Sequence, residues 1–267
     1  MLSMDEIQTS LLKIASEFHD YCQKNDLTYV MAYGTLIGAV RHKGFIPWDN
    51  DMDFLMPRPD YERLLDLMKK SPVSKDIGYL HWTICDNYQY PIIRLYSRNT
   101  KIDVPYVENY PDSGLWIDIF PADGFSSLAR AEILHLKILK RLLNAHLYRP
   151  QENDSSLKKI LRNVIRAIVP NTNNRIIEKL DAIALKHPFG LNDNQCCVAS
   201  DDPYKVFPIS IFTNRTLMPF STDAFSCKLY GPTDFHSALI VHYGESYMQL
   251  PPESERETHE IAAEYRY

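Results

Sequence analysis

The run Leu115-Trp116-Ile117-Asp118-Ile119-Phe120 leaves its part of the chain little freedom. Aromatic and β-branched residues of this kind read as a strand, and here they surround one carboxylate with large apolar side chains. Such a carboxylate is costly unless it is paired or coordinated, so Asp118 is expected to have a partner. A second strand, Asp51 to Met56, brings matching chemistry. Strand alternation puts Asp51, Asp53 and Leu55 on one face, with the two carboxylates ~7 Å apart at their α-carbons. Oxygen ligands at that spacing suit a hard divalent cation. Mg²⁺ is expected, with Mn²⁺ as its substitute, and Asp118 is the natural third ligand, leaving one side of the shell open for substrate phosphates.

The surrounding pattern gives a fold class. Ile7, Leu11, Ile14, Phe18 and Tyr21 have the spacing of a helix with one buried stripe. Leu27 to Tyr33 reads as a strand, and Gly34-Thr35 turns the chain into a short helix, Leu36 to Arg41. A glycine at that point lets backbone approach a ligand, and the N–H groups at a helix start attract phosphate oxygens. After strand 51–56, Arg58-Pro59 opens a helix with the stripe Tyr61, Leu64, Leu65 and Met68. Further strands are expected at 79–84, 91–96, 102–106 and 115–120. Helices are expected at 128–148 and 157–169, a third continues through Leu185, and a last one spans 233–243. The class is α+β: a mixed β-sheet flanked by helices, plus a helical insertion.

Composition narrows the partners. The chain of 267 residues, 45% hydrophobic and 24% charged, is an ordinary globular length and mixture. No apolar run approaches the ~18 residues that suggest a membrane span, and the amino terminus lacks the pattern of a secretory signal. Five cysteines without C-x-x-C spacing fit a reducing cytosol better than a disulfide framework or zinc site. The net charge of −5 is uneven: between Leu128 and Lys179 eleven basic residues face four acidic ones, a local +7 that leaves −12 elsewhere. Within it, helix 157–169 puts Leu157, Ile160, Leu161, Val164, Ile165 and Ile168 on one side, with Lys158, Lys159, Arg162 and Arg166 bordering or opposite. Such a helix can lie on anionic lipid, and a packed helix with a solvated basic face has the same pattern. No nucleic-acid reading module accompanies the charge, so nucleic acid is not an expected partner.

One long block then carries a resemblance. Tyr33-Gly34-Thr35-Leu36-Ile37-Gly38-Ala39-Val40-Arg41-His42-Lys43-Gly44-Phe45-Ile46-Pro47-Trp48-Asp49-Asn50-Asp51-Met52-Asp53 resembles the signature of the LicD family, related to fukutin within the nucleotidyltransferase superfamily. The likeness extends through Arg58, Tyr61 and Glu62, resumes from Trp116 to Gly124, and returns at Tyr243-Gly244 and Leu250-Pro251-Pro252. It implies a nucleotidyltransferase-like core and transfer of phosphocholine, or a related phospho-group, from CDP-choline or another CDP-linked donor. The implied acceptor is a lipid-linked precursor of a cell-surface glycan, such as teichoic acid or lipopolysaccharide, and cytidine monophosphate leaves. Carried over, Gly34 and Thr35 form the phosphate turn and Asp51 and Asp53 are the metal carboxylates. Asp118 is the third carboxylate and orients or deprotonates the attacking hydroxyl. Arg41, His42, Lys43 and Arg94 are candidates for charge on the phosphates or acceptor. Asn50 stands where an acidic residue is expected, and alternation turns it from the metal face.

The resemblance also implies an organisation: a catalytic core at 1–125, a basic helical insertion at 126–196 and a C-terminal segment at 197–267 packing on the core. The expected location is cytoplasmic, with peripheral contact at the inner membrane face through the basic helices. Alternatives are nucleotidyl transfer, in which pyrophosphate leaves, and a non-catalytic glycan- or nucleotide-binding module of the same fold. Asp49-x-Asp51-x-Asp53 also opens like an EF-hand loop, but Phe54 stands at the position that needs glycine. Trp48, Trp82, Trp116 and the many tyrosines could supply an aromatic cage for a quaternary ammonium group. The histidines form no pair with metal spacing.

Overall fold

The apolar strand that carries Asp118 lies at the centre of the molecule. The structure is a computed structural model that describes residues 1–267 except 108–110, 126–129, 151–153, 170–173, 201, 257–260 and 267. In chain order the elements are α1 (Met4–Lys24), β1 (Val30–Met31), α2 (Tyr33–Arg41), β2 (Asp53–Pro57), α3 (Arg58–Lys70), β3 (Ile77–Leu80), β4 (Ile93–Ser97), β5 (Thr100–Asp103) and β6 (Trp116–Gly124). Then come α4 (Arg130–Leu147), α5 (Ser156–Ile168), α6 (Arg175–Ala184), β7 (Asn194–Cys196), β8 (Phe207–Pro208), α7 (Ser210–Thr213), β9 (Arg215–Ser221), β10 (Ser226–Pro232), α8 (Phe235–Tyr243) and β11 (Ala262–Tyr265).

Among the described residues seven strands form one mixed sheet in the order β1-β2-β6-β4-β3, and β7 and β8 continue it from the far end of β6. Only β2 and β6 run parallel. The β9–β10 hairpin packs on α1 and β1, and β11 pairs with β5. The main core lies between this sheet and α1, α2 and α3, where Phe18, Tyr29 and Phe54 stack. A second core, under α4 and α6, gathers Leu136, Leu139, Leu143, Ile177, Leu180, Cys196 and Val198.

Local sequence explains the well-defined ends. Ser3 and Glu6 form a reciprocal capping box at the start of α1, where the Ser3 hydroxyl accepts from Glu6 N and Ser3 N donates to the Glu6 carboxylate. The predicted stripes of α1 and α3 are both buried. Strands expected at 79–84, 102–106 and 115–120 lie at 77–80, 100–103 and 116–124, and two boundaries beside the aspartates also differ. β1 is short and α2 begins at Tyr33, so Gly34 and Thr35 lie inside its first turn instead of before it. β2 begins at Asp53, which leaves Asp51 in the approaching segment, although Asp118 N still donates to Met52 O at 2.9 Å.

The helices from 130 to 184 are tied to the sheet by charge. Arg58, buried at the start of α3, donates to both oxygens of Asp123 on β6 at 2.7 and 3.1 Å and to Asp181 on α6 at 2.9 Å. Arg58 and Asp123 thereby dock α6 on the strand that carries Asp118.

Candidate active site

Strand register assembles the site. Asp53 on β2 pairs with Asp118 on β6, and Asp118 pairs with Arg94 on β4. Residues paired across neighbouring strands project to one face, so Asp53, Asp118 and Arg94 stand in a row across the sheet. Arg94 donates from Nε and from one terminal nitrogen to the two oxygens of Asp118, each at 2.7 Å, and Trp116 Nε1 donates to the same carboxylate at 3.2 Å. The buried carboxylate expected to need a partner thus has one, in the bidentate geometry that favours such a pair.

Asp53 has the opposite setting. Burial, and then the charges of Asp51, Asp118 and Asp49, push its carboxyl well above the ordinary range, and Arg94 only partly opposes them. Asp49 comes from the loop ahead of β2, held to α1 by a bond from Gln8 Nε2 to its carbonyl at 2.8 Å. One of its carboxylate oxygens lies against Gly34, so close that a Cβ there would meet it at 2.6 Å. Asp49 thereby faces the first turn of α2, whose N-cap, Ala32, has no side chain that can cap. Next to it Tyr33 takes φ 45°, a left-handed conformation that costs a bulky residue ~1–3 kcal/mol. Its ring is held edge-on against Phe120 and His242, at 5.3 and 4.7 Å.

Thr35 serves the backbone: its buried hydroxyl accepts from Asp53 N at 2.8 Å and fixes the start of β2 against α2. Arg41, His42 and Lys43 lie at the other end of α2, about 12 Å along the helix. Arg41 donates to the carbonyls of Tyr247 and Gln249, both at 3.1 Å, and Lys43 to that of Val40. Burial, and then the Arg41 charge, lower the pKa of His42 and favour its neutral form. The structure therefore brings Gly34, Thr35, Asp51, Asp53, Asp118 and Arg94 together and leaves the 41–43 cluster apart.

A cleft of about 330 Å³ opens above the row. Asp51, Arg94 and Asp118 provide its polar atoms, and Tyr90, Tyr106, Trp116 and Tyr148 its aromatic walls. The Arg94 guanidinium stacks over Trp116 at 4.1 Å and Tyr90 at 4.8 Å. Tyr148 follows α4 and reaches the cleft through a backbone bond from Arg149 N to Tyr106 O at 3.0 Å. The three tyrosines were not legible as site residues, because only the fold brings them together. Asp49 was visible in the W-D-x-D-x-D string, although nothing local showed that it would face Gly34. Trp48 and Trp82 sit elsewhere, Trp48 under Arg256 and Trp82 beside the second core.

The carboxylate oxygens fit a hard divalent cation in donor type, and the surplus negative charge around Asp53 favours one. The three-carboxylate shell expected from the sequence does not stand ready. Among the described residues no three His, Cys, Asp or Glu side chains are arranged to hold a metal ion. Asp118 is instead engaged by Arg94 through both of its oxygens.

Residues 26–134, from just after α1 into α4, match the family described as LicD/FKTN/FKRP, nucleotidyltransferase domain. Along nearly its whole length the chain is similar to the lipopolysaccharide cholinephosphotransferase LicD of Haemophilus influenzae, at 28% identity over 275 aligned positions covering 99% of this chain and 98% of that protein. An uncharacterized protein of Rickettsia prowazekii is 36% identical over 116 residues, 43% of this chain and 40% of its own.

Proposed function

We propose that the chain transfers phosphocholine, or a closely related phospho-group, from a CDP-linked donor such as CDP-choline to a sugar hydroxyl of a cell-surface glycan precursor. The observation that carries this reading is the set Asp51, Asp118 and Arg94 lining an aromatic cleft, with Asp53 next to Asp118 in strand register. The full-length similarity to a lipopolysaccharide cholinephosphotransferase favours a lipopolysaccharide-type acceptor, with a teichoic-acid precursor as the other member of that class.

In this reading the core is nucleotidyltransferase-like and spans residues 1–125, with 126–196 as a helical insertion and 197–267 packing on the core. Asp51 and Asp53 hold Mg²⁺ or Mn²⁺. When bound, such an ion neutralises charge on the donor phosphates and favours in-line attack at phosphorus. The first turn of α2, faced at Gly34 by the flexible Asp49 side chain, offers backbone N–H groups to phosphate oxygens when that side chain moves aside. Asp118 is a positioning residue: with Trp116 and Tyr90 it holds the Arg94 guanidinium flat on the cleft floor, where its charge meets the transferred group. Trp116, Tyr90, Tyr106 and Tyr148 suit a quaternary ammonium head by their π-faces. The sugar oxygen forms the new bond to phosphorus, its proton passes to a cleft carboxylate, and the bond to cytidine monophosphate breaks.

The product separates this reaction from nucleotidyl transfer. Incubation with CDP-choline and a glycan acceptor should add the mass of phosphocholine and release cytidine monophosphate. Addition of a cytidylyl group overturns the reading.

A further inference from the structure

Helix α5 packs the wrong way round for a soluble protein. Its Arg166 faces the body, donating from Nε to Ala145 O at 2.7 Å and from a terminal nitrogen to Tyr148 O at 2.9 Å, and Arg162 pairs at 3.1 Å with Asp154, just ahead of the helix. At its end Val169 O meets His146 Nε2 at 2.7 Å. The apolar side faces out. None of the thirteen residues is buried, and Leu157, Ile160, Leu161, Val164 and Ile168 are 76, 60, 56, 44 and 72% exposed. An ordinary amphipathic helix turns its apolar stripe inward and its charges to water. Here the charged side is spent on backbone carbonyls and one aspartate, which fixes the helix with its leucines and isoleucines in solvent.

We infer that α5 docks the protein on an anionic lipid surface. At ~20 Å the helix is too short to cross a bilayer core of ~30 Å, so its stripe can enter only the boundary between headgroups and chains. Charge selects lipid over a second protein. Lys158 is exposed beside the stripe with its ammonium paired to Asp154, and Lys137 and Arg141 are exposed on α4, within the segment that carries +7 in a chain of −5. The net negative remainder of the chain is repelled by an anionic membrane, so attraction is concentrated in this segment. The inference goes beyond the transfer reaction and does not rest on it.

The test is sedimentation of the full chain with vesicles of phosphatidylcholine, with and without about a third phosphatidylglycerol. The protein should pellet with the anionic vesicles and bind at least about tenfold more weakly to pure phosphatidylcholine or in high salt. The triple variant Leu157→Ser, Leu161→Ser, Ile168→Ser should lose binding by a similar factor while keeping the circular dichroism spectrum and melting temperature of the parent. Three results overturn the proposal: no binding of the parent to anionic vesicles, undiminished binding of a folded triple variant, or self-association of the parent without lipid that the triple variant abolishes. The last would make the stripe a contact between copies.

Discussion

Asp53 and Asp118 are neighbours in register, but their surroundings separate them. Asp118 is matched by a buried arginine, and truncating one partner of such a pair costs ~3–5 kcal/mol. Asp118→Ala should therefore lower stability by that amount in urea unfolding. Asp53 is crowded by like charge, so Asp53→Asn should leave stability unchanged or raise it while reducing transfer by more than ~100-fold. The reverse ordering, a stable Asp118 variant and an unstable Asp53 variant, contradicts the division of roles. Gly34 tests the anion seat. An added methyl would displace the end of the Asp49 side chain, a flexible group, so Gly34→Ala should fold normally and lose at least ~10-fold in kcat/KM. Unchanged kinetics would mean that the first turn of α2 does not meet substrate. Asp51, Asp53, Asp118 and Gly34 were legible because acidic residues at alternating positions and a glycine at a strand–helix junction have local signatures. The Arg94 pairing was not, because it depends on which strand lies beside β6.

At the scale of elements, α1 and α3 were readable from their apolar stripes, and α2 and β2 differ at their starts, where no side chain marks the boundary. The orientation of α5 was open because the same pattern serves either face; the carbonyls at the end of α4 decide it. The turn after β3 carries a pH dependence. His81 is buried there, its Nδ1 2.7 Å from the Thr83 hydroxyl, and burial, with the Arg58 and Lys69 charges, lowers its pKa to about 3. The unfolded chain takes up that proton near pH ~6.5, so the stability from neutral His81 is fully present above that pH. It falls below it, by up to ~1.4 kcal/mol per pH unit, until the folded value is reached. Denaturation from pH 7.5 to 5, values spanning roughly the upper part of that window, should show a shallower loss for His81→Gln than for the parent. Parallel slopes would remove His81 from the account.

For the whole molecule, the aromatic cleft and the exposed helix α5 meet through α4, whose trailing Tyr148 lines the cleft and whose last carbonyls hold α5. Among the described residues no helix is long and apolar enough to cross a membrane. The central claim, that Asp51 and Asp53 hold a cation used for transfer from a CDP-linked donor, is tested most directly by following cytidine monophosphate release from CDP-choline while Mg²⁺ is titrated. Release should rise with Mg²⁺, stop with chelator and be absent in Asp53→Asn. Release at full rate in chelator, or from the Asp53→Asn variant, would contradict it.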